Sequence, residues 1–156
     1  MDEAAVAAQA RVGAISWDQL ALKQVLGQGA SGVIHQADLL AGNDSGTSPP
    51  GPSRDVAVKI YKGAVTSDGS PESEMAACVA AGAHPHLIPL EATLADHPAG
   101  TPGLVMSLID PGFTDLAGPP SLASCTRDVY APGTVFTAEA ARRIAEGIAS
   151  AAAHLH

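Results

Sequence analysis

Along the first hundred residues, apolar positions come in short runs rather than in a helical stripe. ALKQVLG at 21–27 and GVIHQADLL at 32–40 partly alternate apolar and polar residues over the length of a strand, and the glycine-rich LGQGASGVI at 26–34 joins them as a hairpin. DVAVKIY at 55–61 is denser in β-branched residues and reads as a central strand, although Lys59 stands inside it. LIPLEATLA at 87–95 and GLVMSLI at 103–109 are two further strands, divided by the turn-rich DHPAGTP. Five strands are predicted in all.

The helical signals are fewer. Ser70 can cap, Pro71 suits a first helical position and Glu72 puts an acid in the first turn, so a helix runs over 71–81 until Gly82 stops it. Thr137 caps a second helix, in which Ile144, Ile148, Ala151 and Leu155 recur at three- or four-residue spacing as an apolar stripe. Residues 1–14 lack large apolar anchors and are expected to form a flexible extension. AGNDSGTSPPGPSR at 41–54 is expected to be a disordered, solvated insertion, and the proline- and glycine-rich 110–136 a linker. The fold class is α+β.

At 156 residues the chain is one domain in size, with 46% hydrophobic residues but only 3% aromatic ones, so the core is expected to be thin in rings. Eight Lys and Arg against 16 Asp and Glu leave a net charge of -8, which offers no broad basic surface to nucleic acid or an anionic membrane. A single nucleotide needs only local donors and remains compatible. Cys78 and Cys125 lie far apart, outside any CxxC pair, and point to neither a disulfide framework nor a zinc site. Asp2 and Glu3 stand where a secretory leader carries positive charge, and no apolar run approaches the ~18 residues of a membrane span, so a cytoplasmic address is expected. His84, His86 and His97 sit beside prolines, without the spacing of metal ligands, and read as turn residues; no metal ligand is assigned.

Gly27, Gly29 and Gly32 have the GxGxxG spacing that several unrelated phosphate-binding loops share. A dinucleotide-binding loop would open a helix after the third glycine and place an acid at the end of the next strand. Val33 and Ile34 are poor helix openers, and Lys62 stands where the acid is wanted. A Walker loop would end in Gly-Lys-Ser/Thr, which is absent. The third use is a hairpin lid whose backbone amides close over the phosphates of ATP. It needs an apolar residue two places after the last glycine, a lysine on the third strand and a carboxylate on the next helix. Ile34, Lys59 and Glu74 fill these places, with Glu72 as the rival for the last.

On these residues the chain resembles the protein kinases. Gly27, Gly29, Gly32 and Ile34 match the GxGxxGxV loop, Val56 to Lys59 the VAIK strand, and Glu74 the ion-pair glutamate of helix C. HPHLI at 84–88 looks like the segment after that helix, Met106 like the gatekeeper and Ser107 to Ile109 like the hinge. PPSLASCTRDVYAPG and SDGSPESEMAA look most like bacterial kinases joined to leucine-rich repeats. The resemblance implies a kinase N-terminal lobe over 15–109, a five-stranded antiparallel sheet with one C-type helix. A hinge and linker would follow over 110–136, and then the first large-lobe helix over 137–156. It also implies an ATP site. Lys59 and Glu74 would be its catalytic pair, and Leu26, Gly27, Gln28, Gly29, Ala30, Ser31, Gly32, Ile34, Ala57, Lys59, Met106, Ser107 and Ile109 its nucleotide contacts.

In full-length kinases the γ-phosphate passes to a protein hydroxyl with help from HRD, a downstream Asn and DFG, which accept the proton and hold magnesium. Neither motif occurs here, and Asn43 is the only asparagine. A kinase fold truncated before its catalytic loop is therefore expected, requiring ATP and Mg2+ but lacking the magnesium ligands, and inactive alone. The alternative is a noncatalytic, pseudokinase-like module that binds nucleotide or docks a protein partner, with the stripe of the last helix as its contact.

Overall fold

The computed structural model describes residues 12–40, 53–63, 69–119, 121–125 and 128–156. In chain order its elements are β1 (Gly13–Ile15), a 3-10 turn (Trp17–Gln19), β2 (Leu20–Gln28), β3 (Gly32–Leu39), β4 (Arg54–Tyr61), α1 (Pro71–Ala81), β5 (Leu90–Leu94), β6 (Gly103–Ser107) and α2 (Ala138–Leu155). Two compact units result, one ending at Leu108 and one spanning Ile109–His156.

The first unit is one sheet in the order β1-β5-β6-β4-β3-β2, with α1 as its helix. All the neighbours among β2 to β6 are antiparallel, and the five strands read from the sequence are these. The expected five-stranded antiparallel sheet is nevertheless corrected: β1 adds a sixth strand, parallel to β5, and makes the sheet mixed. Gly13 and Ala14, expected in the flexible extension, are strand residues. A three-residue GAI has no periodicity to read, and it is a strand because β5 offers an open edge. Two bonds hold the entry to it: the Asp96 carboxylate accepts from Ser16 Oγ at 2.5 Å and from the Trp17 backbone N–H at 2.6 Å. Of the expected insertion, Arg54 already belongs to β4, and 41–52 lie outside the described residues.

Alternation along β4 separates the two faces of the sheet. Val56 and Val58 are fully buried and join Leu20, Ala37, Ala92, Leu94 and Val105 in the core, with Ile15, Trp17, Leu39 and Ile60 packed around them. Ala57, Lys59 and Tyr61 occupy the opposite face. At the exposed edge, Lys23 of β2 reaches Asp38 and Asp55 at 2.7 Å each, and such charges blunt an unpaired strand.

The helix α1 starts as its sequence requires: Ser70 Oγ accepts from the Ser73 N–H at 3.2 Å, Pro71 follows, and Gly82 ends it at φ 63°, a conformation costly for other residues. Glu74, Met75 and Cys78 form its half-buried face. In the second unit, Thr137 Oγ1 accepts from the Ala140 N–H at 3.1 Å to cap α2. Before the helix comes a stretch of turns, in which Gly118 and Val129 form an isolated antiparallel bridge. Among the described residues, no helix is long and apolar enough to cross a membrane.

Candidate functional site

The β4 strand carries Lys59 on the sheet face opposite the core, and α1 carries Glu74 on its half-buried face. The two side chains meet as an ion pair, Lys59 Nζ donating to Glu74 Oε1. The lysine side chain is 15% exposed and the glutamate 38%, so one end of the pair faces protein and the other faces water. Below the ammonium lies the ring of Tyr61, 4.8 Å from Nζ to the centroid, two residues along the same strand face. Glu72, the rival acid, is exposed, and its carboxyl is pulled below the usual range by its own backbone N–H and by Ser70. It serves the helix start, while Glu74 faces the lysine.

Cys78, one turn beyond Glu74, belongs to the same cluster. Burial pushes its thiol pKa up, the Glu74 charge adds to that, and Lys59 opposes it. The thiol is therefore a weak nucleophile in this setting.

The glycine-rich loop is the tight turn between β2 and β3. Gly27 pairs with Ile34 and Gln28 with Val33, and the Gly29 N–H donates to the Gly32 carbonyl at 3.0 Å, leaving Ala30 and Ser31 at the tip. Lys62, just past β4, ties the turn down twice: its backbone N–H donates to Ser31 O at 3.0 Å and its Nζ to Gly29 O at 2.9 Å. None of the three glycines has positive φ. Gly32 is required by space, since a Cβ there would lie 2.6 Å from the Ile60 carbonyl oxygen and 3.3 Å from Lys59 Cε. A Cβ at Gly27 or Gly29 would meet no atom of the described residues within 4 Å beyond its immediate chain neighbours. Among the described residues, neither the backbone angles nor the packing calls for glycine at those two places.

The remaining nucleotide-contact candidates divide. Ile34 pairs with Lys59, and Ala57 with Met106, so these four share the sheet face that bears the ion pair. Leu26 is the extra residue of a β-bulge between Val25 and Gly27 and is 46% exposed. Ser107 turns away: its Oγ donates to Glu91 Oε1 at 2.7 Å, beside the Arg54–Glu91 ion pair, and its backbone N–H donates to Pro89 O at 3.0 Å. Ile109 is exposed and opens the second unit.

Tyr61 lies in a run already read as strand, and Lys62 enters the sequence reading only as the residue standing where a dinucleotide-binding loop wants an acid, so neither signals a part in this site. A lysine flanked by apolar residues on a central strand does direct attention to its i+2 neighbour, which shares its face. Among the described residues no group of three or more His, Cys, Asp and Glu side chains could hold a metal ion.

No protein-family model matches the chain, and no curated protein matches it.

Proposed function

We propose that the first unit is the ATP-binding portion of a protein kinase, with the nucleotide lying on the sheet face of Lys59 beneath the β2–β3 turn. The observation that carries the proposal is the Lys59–Glu74 ion pair, formed between a central strand and the following helix, adjacent to a turn with two glycines for which the described residues give no packing reason. Glycine without an internal reason suits close approach of backbone to a ligand. In this reading Lys59 binds the α- and β-phosphates, Glu74 orients Lys59, and the loop amides of residues 27–32 cover the nucleotide. Ala57, Ile34 and Met106 would offer the flat apolar surface that an adenine ring prefers.

ATP supplies the γ-phosphoryl group that the complete enzyme would pass to a protein hydroxyl. Magnesium would arrive with the nucleotide, and no cluster of ligands for it exists among the described residues. HRD and DFG do not occur in the sequence, so the chain alone is expected to bind nucleotide and transfer nothing.

The test is titration of a fluorescent ATP analogue into the chain and into Lys59→Met. Saturable binding that the substitution abolishes supports the proposal; equal binding by both, or none by either, refutes it. Labelled phosphate appearing on a generic protein substrate, and lost with Lys59→Met, would overturn the inactive assignment.

A protein-docking role is the second reading. It is favoured by α2, where Ile148 is 65% exposed and Leu155 52%, both on the apolar stripe.

A further inference from the structure

Pairing of Gly32 with Tyr61 brings the β2–β3 turn alongside the end of β4, where the next residue, Lys62, takes two carbonyls of the turn. Its backbone N–H donates to Ser31 O at 3.0 Å and its Nζ to Gly29 O at 2.9 Å. Lys62 itself is exposed, so a bond from its ammonium adds little to the stability of the whole unit. Its effect is local. A peptide group is planar and trans, with its C=O and N–H on opposite sides. With the Gly29 and Ser31 oxygens drawn to Lys62, the Ala30 and Gly32 N–H groups are directed away from it. Space around Gly29 is open, and a glycine turn without a restraint can rotate its peptide groups freely, which would swing a carbonyl oxygen toward any anion beside the turn.

We propose that Lys62 is a positioning residue of the phosphate site: it keeps the Gly29 carbonyl on its own side of the turn, so that the turn offers N–H groups rather than oxygens to a polyphosphate held by Lys59. The proposal rests on the nucleotide reading above and adds to it the residue that presets the lid. Lys59 and Lys62, three positions apart at one end of β4, divide the work. The first grips the phosphate, and the second holds the backbone that closes over it. Without the strap, ligand binding must order the turn as well, and that entropic cost is subtracted from affinity.

The experiment compares the full chain with Lys62→Ala, Lys62→Arg and Lys59→Met. MgATP is titrated by calorimetry, and amide exchange is followed by NMR without ligand. Lys62→Ala removes only the Nζ bond, so its affinity for MgATP should fall by about fivefold while the Gly29 amide exchanges faster, and Lys62→Arg should restore both. If Lys62→Ala binds as the parent does, while Lys59→Met does not bind, the proposal is overturned and the nucleotide reading stands. Weaker binding with unchanged exchange at Gly29 also overturns it, because Lys62 would then touch the phosphate itself. So does faster exchange throughout β4, which would show the whole unit loosened, or a failure of Lys62→Arg to restore affinity. If the parent chain does not bind MgATP, or Lys59→Met binds as well as the parent, the nucleotide reading fails and the role of Lys62 in it falls too.

Discussion

Glu74 of α1 and Lys59 of β4, 15 residues apart in sequence, form the ion pair that connects helix to sheet. Its exposure lies between that of surface pairs and that of fully buried ones. Either Glu74→Gln or Lys59→Met should therefore destabilise the first unit by about 1–2 kcal/mol. The double substitution should cost less than the sum of the two, since both remove the same interaction. Urea unfolding of the four proteins measures this, and strict additivity would show the pair to be energetically silent.

The three glycines of the turn are predicted to separate by function. Gly32→Ala drives a Cβ against the Ile60 carbonyl and should cost about 1–3 kcal/mol of stability. Gly27→Ala and Gly29→Ala meet open space at ordinary negative-φ geometry, so stability should change by less than about 1 kcal/mol. On the proposed reading, the latter two should still weaken nucleotide binding. Unfolding curves combined with titration of the fluorescent analogue distinguish the two kinds of effect.

Lys62 acts as a strap on the same turn. Removing its ammonium in Lys62→Ala leaves the Gly29 carbonyl without that donor. The Gly29 amide should then exchange with solvent several-fold faster, while amides of β4 stay protected. Lys62→Arg should preserve slow exchange. Hydrogen exchange followed by NMR reads both, and unchanged protection at Gly29 in Lys62→Ala would remove the strap.

The cysteine of the cluster offers an electrostatic test. Because burial and Glu74 raise the Cys78 thiol pKa while Lys59 lowers it, Glu74→Gln should speed its alkylation and Lys59→Met should slow it. Cys125, which is exposed, should react before Cys78 in the parent chain. Mass spectrometry after a timed iodoacetamide pulse gives the order.

At the other end of the sheet, the Asp96 carboxylate is held below the usual aspartate range, first by the Ser16 hydroxyl and then by the Trp17 backbone N–H. A depressed carboxylate stabilises above its ordinary pKa and loses that contribution as pH falls through the folded value. The clip that seats β1 should therefore hold at neutral pH and loosen below about pH 4. Trp17, the only tryptophan, packs edge-on against His97 with ring centroids 4.5 Å apart, so its emission reports the release. Asp96→Asn should show the released emission already at pH 7.

What could be read from the sequence was local. The β-branched residues of DVAVKIY marked a central strand with Lys59 inside it, and Ser70, Pro71 and Gly82 bounded α1. The choice of Glu74 over Glu72 came from spacing, and the structure shows its cause: Glu72 is used at the helix start, half a turn from the buried face. Leu26 and Ser107 were harder to place. A bulge in β2 sets the position of the first, and Glu91, from a neighbouring strand, claims the side chain of the second.

The order of residues alone pointed to an α+β chain, five of its strands and both helix caps, because each depends on neighbours a few positions away or on a repeat along one face. Tertiary structure decided the rest: that GAI becomes a strand, that Gly32 must yield space to the Ile60 carbonyl, that Tyr61 lies beneath the Lys59 ammonium, and that Lys62 straps the glycine turn. All but the Tyr61–Lys59 contact join segments far apart in sequence through the edge-to-edge order of the sheet. Periodicity records which face a side chain takes, but not which strand lies beside it.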